Sequence, residues 1–200
     1  MLGFNFYRPS PRFIEPPEAR KIIEAVKDEF ELTAVGVFVN STIEDVLSIV
    51  EAAALDGVQL HGDETPKYCS ELKPRLNGRR VIKAMRVDDS FQAADAVAYP
   101  VDAIMLDAFD RSLRGGTGRT VDWTVAREVS RRVSRFFLSG GLSPENVGAA
   151  ITAVQPFAVD ACSLLESSPG KKDGARVQAF VRAVREVTVS ESNRAFQNLS

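Results

Sequence analysis

A chain of 200 residues, 44% hydrophobic and 26% charged, is long enough for one domain with its own apolar core. A formal net charge of -2 and a pI near 5.6 provide no global basic field for nucleic acid or an anionic membrane, and no apolar run reaches bilayer length. The N-terminus shows no basic segment followed by an apolar stretch and a small-residue cleavage site, and the two cysteines, Cys69 and Cys162, lack metal-ligand spacing, so a cytoplasmic protein with unpaired thiols is expected.

The first predicted element is a strand, LGFNFY from Leu2, closed by a Pro-Ser-Pro turn that leads into Arg12, Phe13 and Ile14. Ile22, Ile23, Val26 and Phe30 then recur at helical spacing before a second strand, TAVGVFV from Thr33. Ser41-Thr42-Ile43-Glu44 resembles a capping box, and Val46, Leu47, Ile49 and Val50 continue it as a helix. Further strands read as GVQLH from Gly57, RVIKAMRV from Arg80, AIMLDA from Ala103, FFLSG from Phe136 and AVDACS from Ala158. Ser143-Pro144-Glu145 puts an N-cap before a first-turn proline. From Thr188 the chain turns polar, so one barrel domain over 1–187 and a fraying tail over 188–200 are expected, with a short β-prone run at Val187-Thr188-Val189.

Mostly apolar strands separated by helices imply a parallel sheet covered by helices. Seven such units suit either an open doubly wound sheet or a closed barrel one unit short of eight. Polar residues follow the C-terminal ends of many strands (Arg8, Arg12, Asn40, His61, Arg86, Asp107, Ser139, Ser163), and a ring of such ends favours the barrel. The last third is densest in chemistry. Asp107 ends a strand and precedes the loop Gly115-Gly116-Thr117-Gly118; Gly140-Gly141 ends another and precedes a helix expected to open at Ser143; a third polar loop, DACSLLESSPGKKD, follows the last strand. Adjacent glycine-rich loops and a helix N-terminus suit an anion, so a phosphorylated small molecule is the expected ligand, with neither nucleic acid nor membrane as a partner.

The stretches LGFNFYRPSPRFI, VGVFVN, VQLHGDE, VIKAMRV, LDAFD, GGTGRTVDW, LSGGLSPENV and VDACSLLESSPGKKD stand in one order over nearly the whole chain. Together they resemble the phosphoribosylanthranilate isomerase family of tryptophan biosynthesis. The resemblance implies a (βα)8 TIM barrel and an Amadori rearrangement of N-(5'-phosphoribosyl)anthranilate, with no cofactor and no metal. It makes Asp107 the general acid and Arg12 the residue that holds the anthranilate carboxylate. Gly116, Gly118, Gly140, Gly141 and Ser163 fall to the phosphate loops. Taken alone, Asp107 serves equally well as a loop-ordering carboxylate, Arg12 as a surface arginine and the two glycines as a strand-to-helix turn. His61, the only histidine, is either a pocket-lining substrate contact or a structural hydrogen-bonder.

Family members begin one strand and one helix earlier, and that strand carries the general-base cysteine. The chain is therefore expected to lack its first βα unit and that base, to turn over poorly, and to form a homodimer through exposed barrel edges. Cys69 reads as a small buried residue. Cys162 replaces a serine of the family pattern and is a weak substitute candidate for the base, while Leu164 replaces a glycine and puts the phosphate loop in question. Two rival readings remain open. One is a barrel remnant that binds a sugar phosphate without turnover. The other is a relative of indole-glycerol-phosphate synthase, which needs catalytic lysines at strand ends and finds Lys83 as the only strand lysine.

Overall fold

The computed structural model describes residues 1–87, 91–107 and 123–197, with side chains described as far as Val187. Strands β1 (Leu2–Asn5), β2 (Ala34–Phe38), β3 (Gly57–Leu60), β4 (Arg80–Arg86), β5 (Ala103–Asp107), β6 (Phe136–Ser139) and β7 (Ala158–Val159) form one seven-stranded sheet in chain order. Leu2 pairs with Ala34, Val35 with Gly57, Gly57 with Arg80 and Phe137 with Ala158, all in parallel. β3 and β6 are buried at every residue, which is why they read as unbroken apolar runs rather than alternating ones. Among the described residues β1 and β7 end the strand order, each with one strand neighbour.

Helices α1 (Pro16–Lys27), α2 (Ile43–Ala52), α3 (Pro66–Leu72), α4 (Thr124–Ser130), α5 (Val147–Val154) and α6 (Gly174–Gln197) fall between or after the strands. The chain forms two compact units, Met1–Met85 with Ala94–Met105, and Arg86–Ala93 with Leu106–Ser200. The first has a core that includes Phe4, Phe6, Ile23, Phe38, Val46, Leu60, Leu72 and Val81, with the Phe6 and Phe38 rings stacked at 5.5 Å. In the second, Phe137 stacks on Phe157 at 5.9 Å, and Gly148 lets α5 approach α6 so closely that an added Cβ would lie 3.2 Å from Val187.

Two aspartates brace the first unit in the same way. Asp56, just before β3, accepts from the backbone N–H of Ala34 at 2.7 Å and from the ammonium of Lys27 at 2.7 Å. Asp102, just before β5, accepts from the N–H of Val81 at 2.8 Å and from Lys73 at 2.7 Å. Each satisfies a backbone donor near the start of a strand with a charge-assisted bond.

Three expectations are corrected. The expected strand at Ala158 stops at Val159, and a 3-10 turn over Ser163–Leu165 follows. Beyond it Glu166–Ser168 (β8) and Lys171–Lys172 (β9) pair as an antiparallel ribbon around Pro169-Gly170, with Gly170 at φ 83°, the left-handed conformation a tight turn demands. The helix expected to open at Ser143 starts instead at Val147 with Asn146 as its N-cap residue, because the Asn146 side chain folds back on the preceding turn. The backbone of α6 stays helical to Gln197, so Val187-Thr188-Val189 is helical and not a strand. Among the described residues no helix is long and apolar enough to cross a membrane.

Candidate active site

In the first unit, the candidate groups follow β1, β2 and β3. The stretch after β1 is a tight, internally bonded loop. Asn5 Oδ1 accepts from Tyr7 N–H at 2.9 Å, Ser10 N–H donates to the Tyr7 carbonyl at 2.9 Å, and Phe13 N–H to the Ser10 carbonyl at 3.1 Å. Arg8 lies over the Phe13 ring at 4.9 Å and pairs with Glu15 at 3.2 Å. Arg12, half-buried, has its backbone N–H on Ser10 Oγ at 3.1 Å. The prolines of PSPRF and these bonds hold the Arg12 backbone in place.

After β3, His61 is half-buried, with its N–H on the Phe38 carbonyl at 2.8 Å and its Nδ1 3.2 Å from the Gln59 side-chain nitrogen. Below it lies a buried ion pair. Lys83 Nζ and Glu64 Oε2 are 2.8 Å apart, with side chains only 3% and 2% exposed. The Lys83 ammonium also donates to the carbonyls of Gly62 at 2.6 Å and Leu60 at 3.3 Å. Glu64 accepts from the N–H groups of Asn40 at 2.8 Å and Gly62 at 3.0 Å. Asn40 sits at φ 52°, and its side chain caps the turn by accepting from Asp63 N–H at 2.6 Å. Gly62 has to be glycine, since a Cβ there would come within 2.7 Å of Asn40 N.

This pair also reaches two neighbours on α3. Burial raises the Cys69 thiol to about 11, opposed by Lys83 and reinforced by Glu64. Burial, then the charge on Glu64, pushes the Tyr68 phenol up to about 12, and its hydroxyl donates to the Ser41 carbonyl at 2.9 Å. Cys69 is buried, as expected of a packing residue. A lysine that forms a Schiff base needs a reachable, uncommitted amine; Lys83 has three acceptors and is enclosed. Nor is it the only strand lysine, since Lys171 and Lys172 form β9.

In the second unit, Asp107 is the last residue of β5 and carries a buried carboxylate oxygen, Oδ1. Gly116 and Gly118 lie outside the described residues. Gly140 and Gly141 follow β6 at φ 92° and 61°, conformations that glycine adopts freely. Asn146 closes that turn, accepting from Ser143 N–H at 2.8 Å and donating to the Gly141 carbonyl at 2.8 Å. Ser139 Oγ donates to Asp160 at 3.0 Å, tying the ends of β6 and β7. Cys162 and Ser163 are exposed, and the Lys172 ammonium stands 3.2 Å from the Cys162 sulfur, 3.0 Å from its carbonyl and 3.0 Å from Glu166. Leu164 is not strained. It lies within the 3-10 turn, outside the positive-φ region, so the conformational objection to a leucine there is overturned.

The profile described as N-(5'-phosphoribosyl)anthranilate isomerase matches residues 1–183. The chain belongs to the N-(5'-phosphoribosyl)anthranilate isomerase family. It is 45% identical over 186 residues to the isomerase of Trichlorobacter lovleyi, covering 92% of this chain and 87% of that one. The Thermotoga maritima isomerase structure superposes with a TM-score of 0.79 at 37% identity, covering 92% and 87% of the two chains. An isomerase crystallised with reduced 1-(o-carboxyphenylamino)-1-deoxyribulose 5-phosphate gives a TM-score of 0.77 at 36% identity, covering 92% and 86%. Within the isomerase family, then, this chain has the α/β fold with successive parallel strands. Sequence reasoning missed Glu64 as a partner of Lys83 and Lys172 as a neighbour of Cys162, because strand periodicity says nothing of which loops a buried ammonium will bridge.

Proposed function

We propose that this chain isomerises N-(5'-phosphoribosyl)anthranilate to the corresponding carboxyphenylamino-deoxyribulose phosphate, in tryptophan biosynthesis. The family match over residues 1–183 carries this reading, and the phosphorylated product analogue held by a related isomerase supports the substrate class. Asp107, at the end of β5, protonates the furanose ring oxygen as its bond to the anomeric carbon breaks, leaving a Schiff base. A base then takes the proton from the carbon beside the imine, and the enolamine collapses to the ketose. Arg12 holds the anthranilate carboxylate with its guanidinium fork. Gly140, Gly141 and Ser163, with Gly116 and Gly118, hold the phosphate through close backbone approach; His61 lines the substrate site.

For the base, the one exposed thiol is Cys162, beside Lys172. It does not match the family's cysteine, and slow turnover is the expectation that follows. The test is turnover of freshly generated substrate, followed as loss of anthranilate fluorescence, by the chain itself and by Asp107→Asn and Cys162→Ser. The chain should turn over substrate, and Asp107→Asn should lower kcat by about 100-fold or more. A folded chain without turnover refutes the reading, and an Asp107→Asn variant as active as its parent refutes the assigned acid. Loss of activity in Cys162→Ser assigns the base to that thiol.

A further inference from the structure

Lys83 and Glu64 take no part in the mechanism above, yet they form a buried charge pair directly beneath a loop that carries a proposed substrate contact. The Lys83 ammonium has three protons and three acceptors: the carboxylate of Glu64 and the carbonyls of Leu60 and Gly62. Those two carbonyls belong to the residues on either side of His61, so one ammonium pins the main chain both before and after the imidazole. Glu64 ties the same turn to the one after β2, accepting from Gly62 N–H and from Asn40 N–H. Above the pair, the Gln59 amide nitrogen lies 3.2 Å from His61 Nδ1. With the amide nitrogen facing the ring it can only donate, so in this arrangement Nδ1 accepts and a neutral imidazole carries its proton on Nε2.

We propose that the Lys83–Glu64 pair is the positioning device of this site: it fixes the backbone around His61 so that, with Gln59, the imidazole is held in a single neutral form with Nε2–H as a donor to an anionic group of the substrate. A buried pair of this kind is poor value as a source of stability alone, since desolvation offsets its Coulomb attraction; fixing one geometry is its better-attested use. The role of His61 toward substrate rests on the isomerase reading. The fixed imidazole does not.

His61 is the only histidine of the 200 residues, so long-range 1H–15N NMR of this chain shows one imidazole without assignment work. At pH 8 the parent should give the pattern of a pure Nε2–H tautomer. Lys83→Met/Glu64→Gln removes the hold on both carbonyls but keeps an acceptor for Asn40 and Gly62, and Gln59→Leu removes the donor to Nδ1 alone. Both should give averaged tautomer shifts, and in the active enzyme the double variant should raise KM by about tenfold while kcat stays within about twofold. A parent spectrum showing Nδ1–H, or a folded double variant with unchanged imidazole shifts and unchanged KM, overturns the proposal. Should the double variant not fold, unaltered shifts in Gln59→Leu overturn the imidazole arm by themselves. Averaged shifts in a chain without turnover uphold the device and reject only the isomerase reading.

Discussion

At the scale of single residues, burial decides which side chains tolerate change. Removing Lys83 alone leaves Glu64 charged, enclosed and without its ammonium. Lys83→Met should therefore cost about 3–5 kcal/mol of stability in urea unfolding, whereas adding Glu64→Gln should recover most of it; equal losses in the two variants count against a charged pair. Cys69 sets a pH limit. Its thiol rises from 9.0 to about 11 in the fold, so the unfolded chain releases this proton first. Its stabilising contribution is complete below pH 9 and declines between pH 9 and 11, at about 1.4 kcal/mol per pH unit. The unfolding midpoint should fall across that window, and less steeply in Cys69→Ala; identical slopes exclude the thiol as the cause. At neutral pH a thiol reagent should modify Cys162 and spare Cys69. The burial of Cys69 was legible from its place among helical apolar residues. The Lys83–Glu64 contact was not, because the two lie 19 positions apart and meet only through the turn between β3 and α3.

Among elements, the strands were the most legible part of the chain. Apolar runs such as VGVF and VQL have to be buried on both faces, and Gly57, Arg80, Ala103 and Phe136 begin strands where those runs begin. Strand and helix ends were less legible, since polar side chains compete for backbone groups there. Thr42, rather than Ser41, is the N-cap of α2, with its hydroxyl accepting from Asp45 N–H at 3.1 Å and donating to the Asp45 carboxylate at 2.7 Å. Thr42→Ala should destabilise the fold by about 1 kcal/mol, measured as a lower urea midpoint with an unchanged slope, while Ser41→Ala should change little. At α5 the competition went to Asn146 over Ser143, a choice made by a tertiary turn that includes Gly141. The β8–β9 ribbon went unread because two- and three-residue strands fall below any periodicity, although Pro169-Gly170 is a turn signal.

At the scale of the molecule, the sheet order leaves β1 and β7 with one strand neighbour each among the described residues. Leu2, on β1, is 41% exposed. The sequence leads one to expect a homodimer along such an edge, and Leu2→Lys should then shift sedimentation toward the mass of one chain, because an edge lysine opposes strand pairing. A parent that sediments as one chain at every concentration removes that expectation. The matched braces of Asp56 and Asp102 carry a different implication, about how such a chain can be built. Each needs a lysine at or just after a helix end, a backbone donor near the start of the next strand, and an aspartate just before the strand after that. The same three-part pattern is used twice in succession, with two strands per use. On the side of the strands opposite His61, β2–β3 and β4–β5 are thus tied by one repeated bracing pattern, and the loops that follow these strands can change without touching either brace.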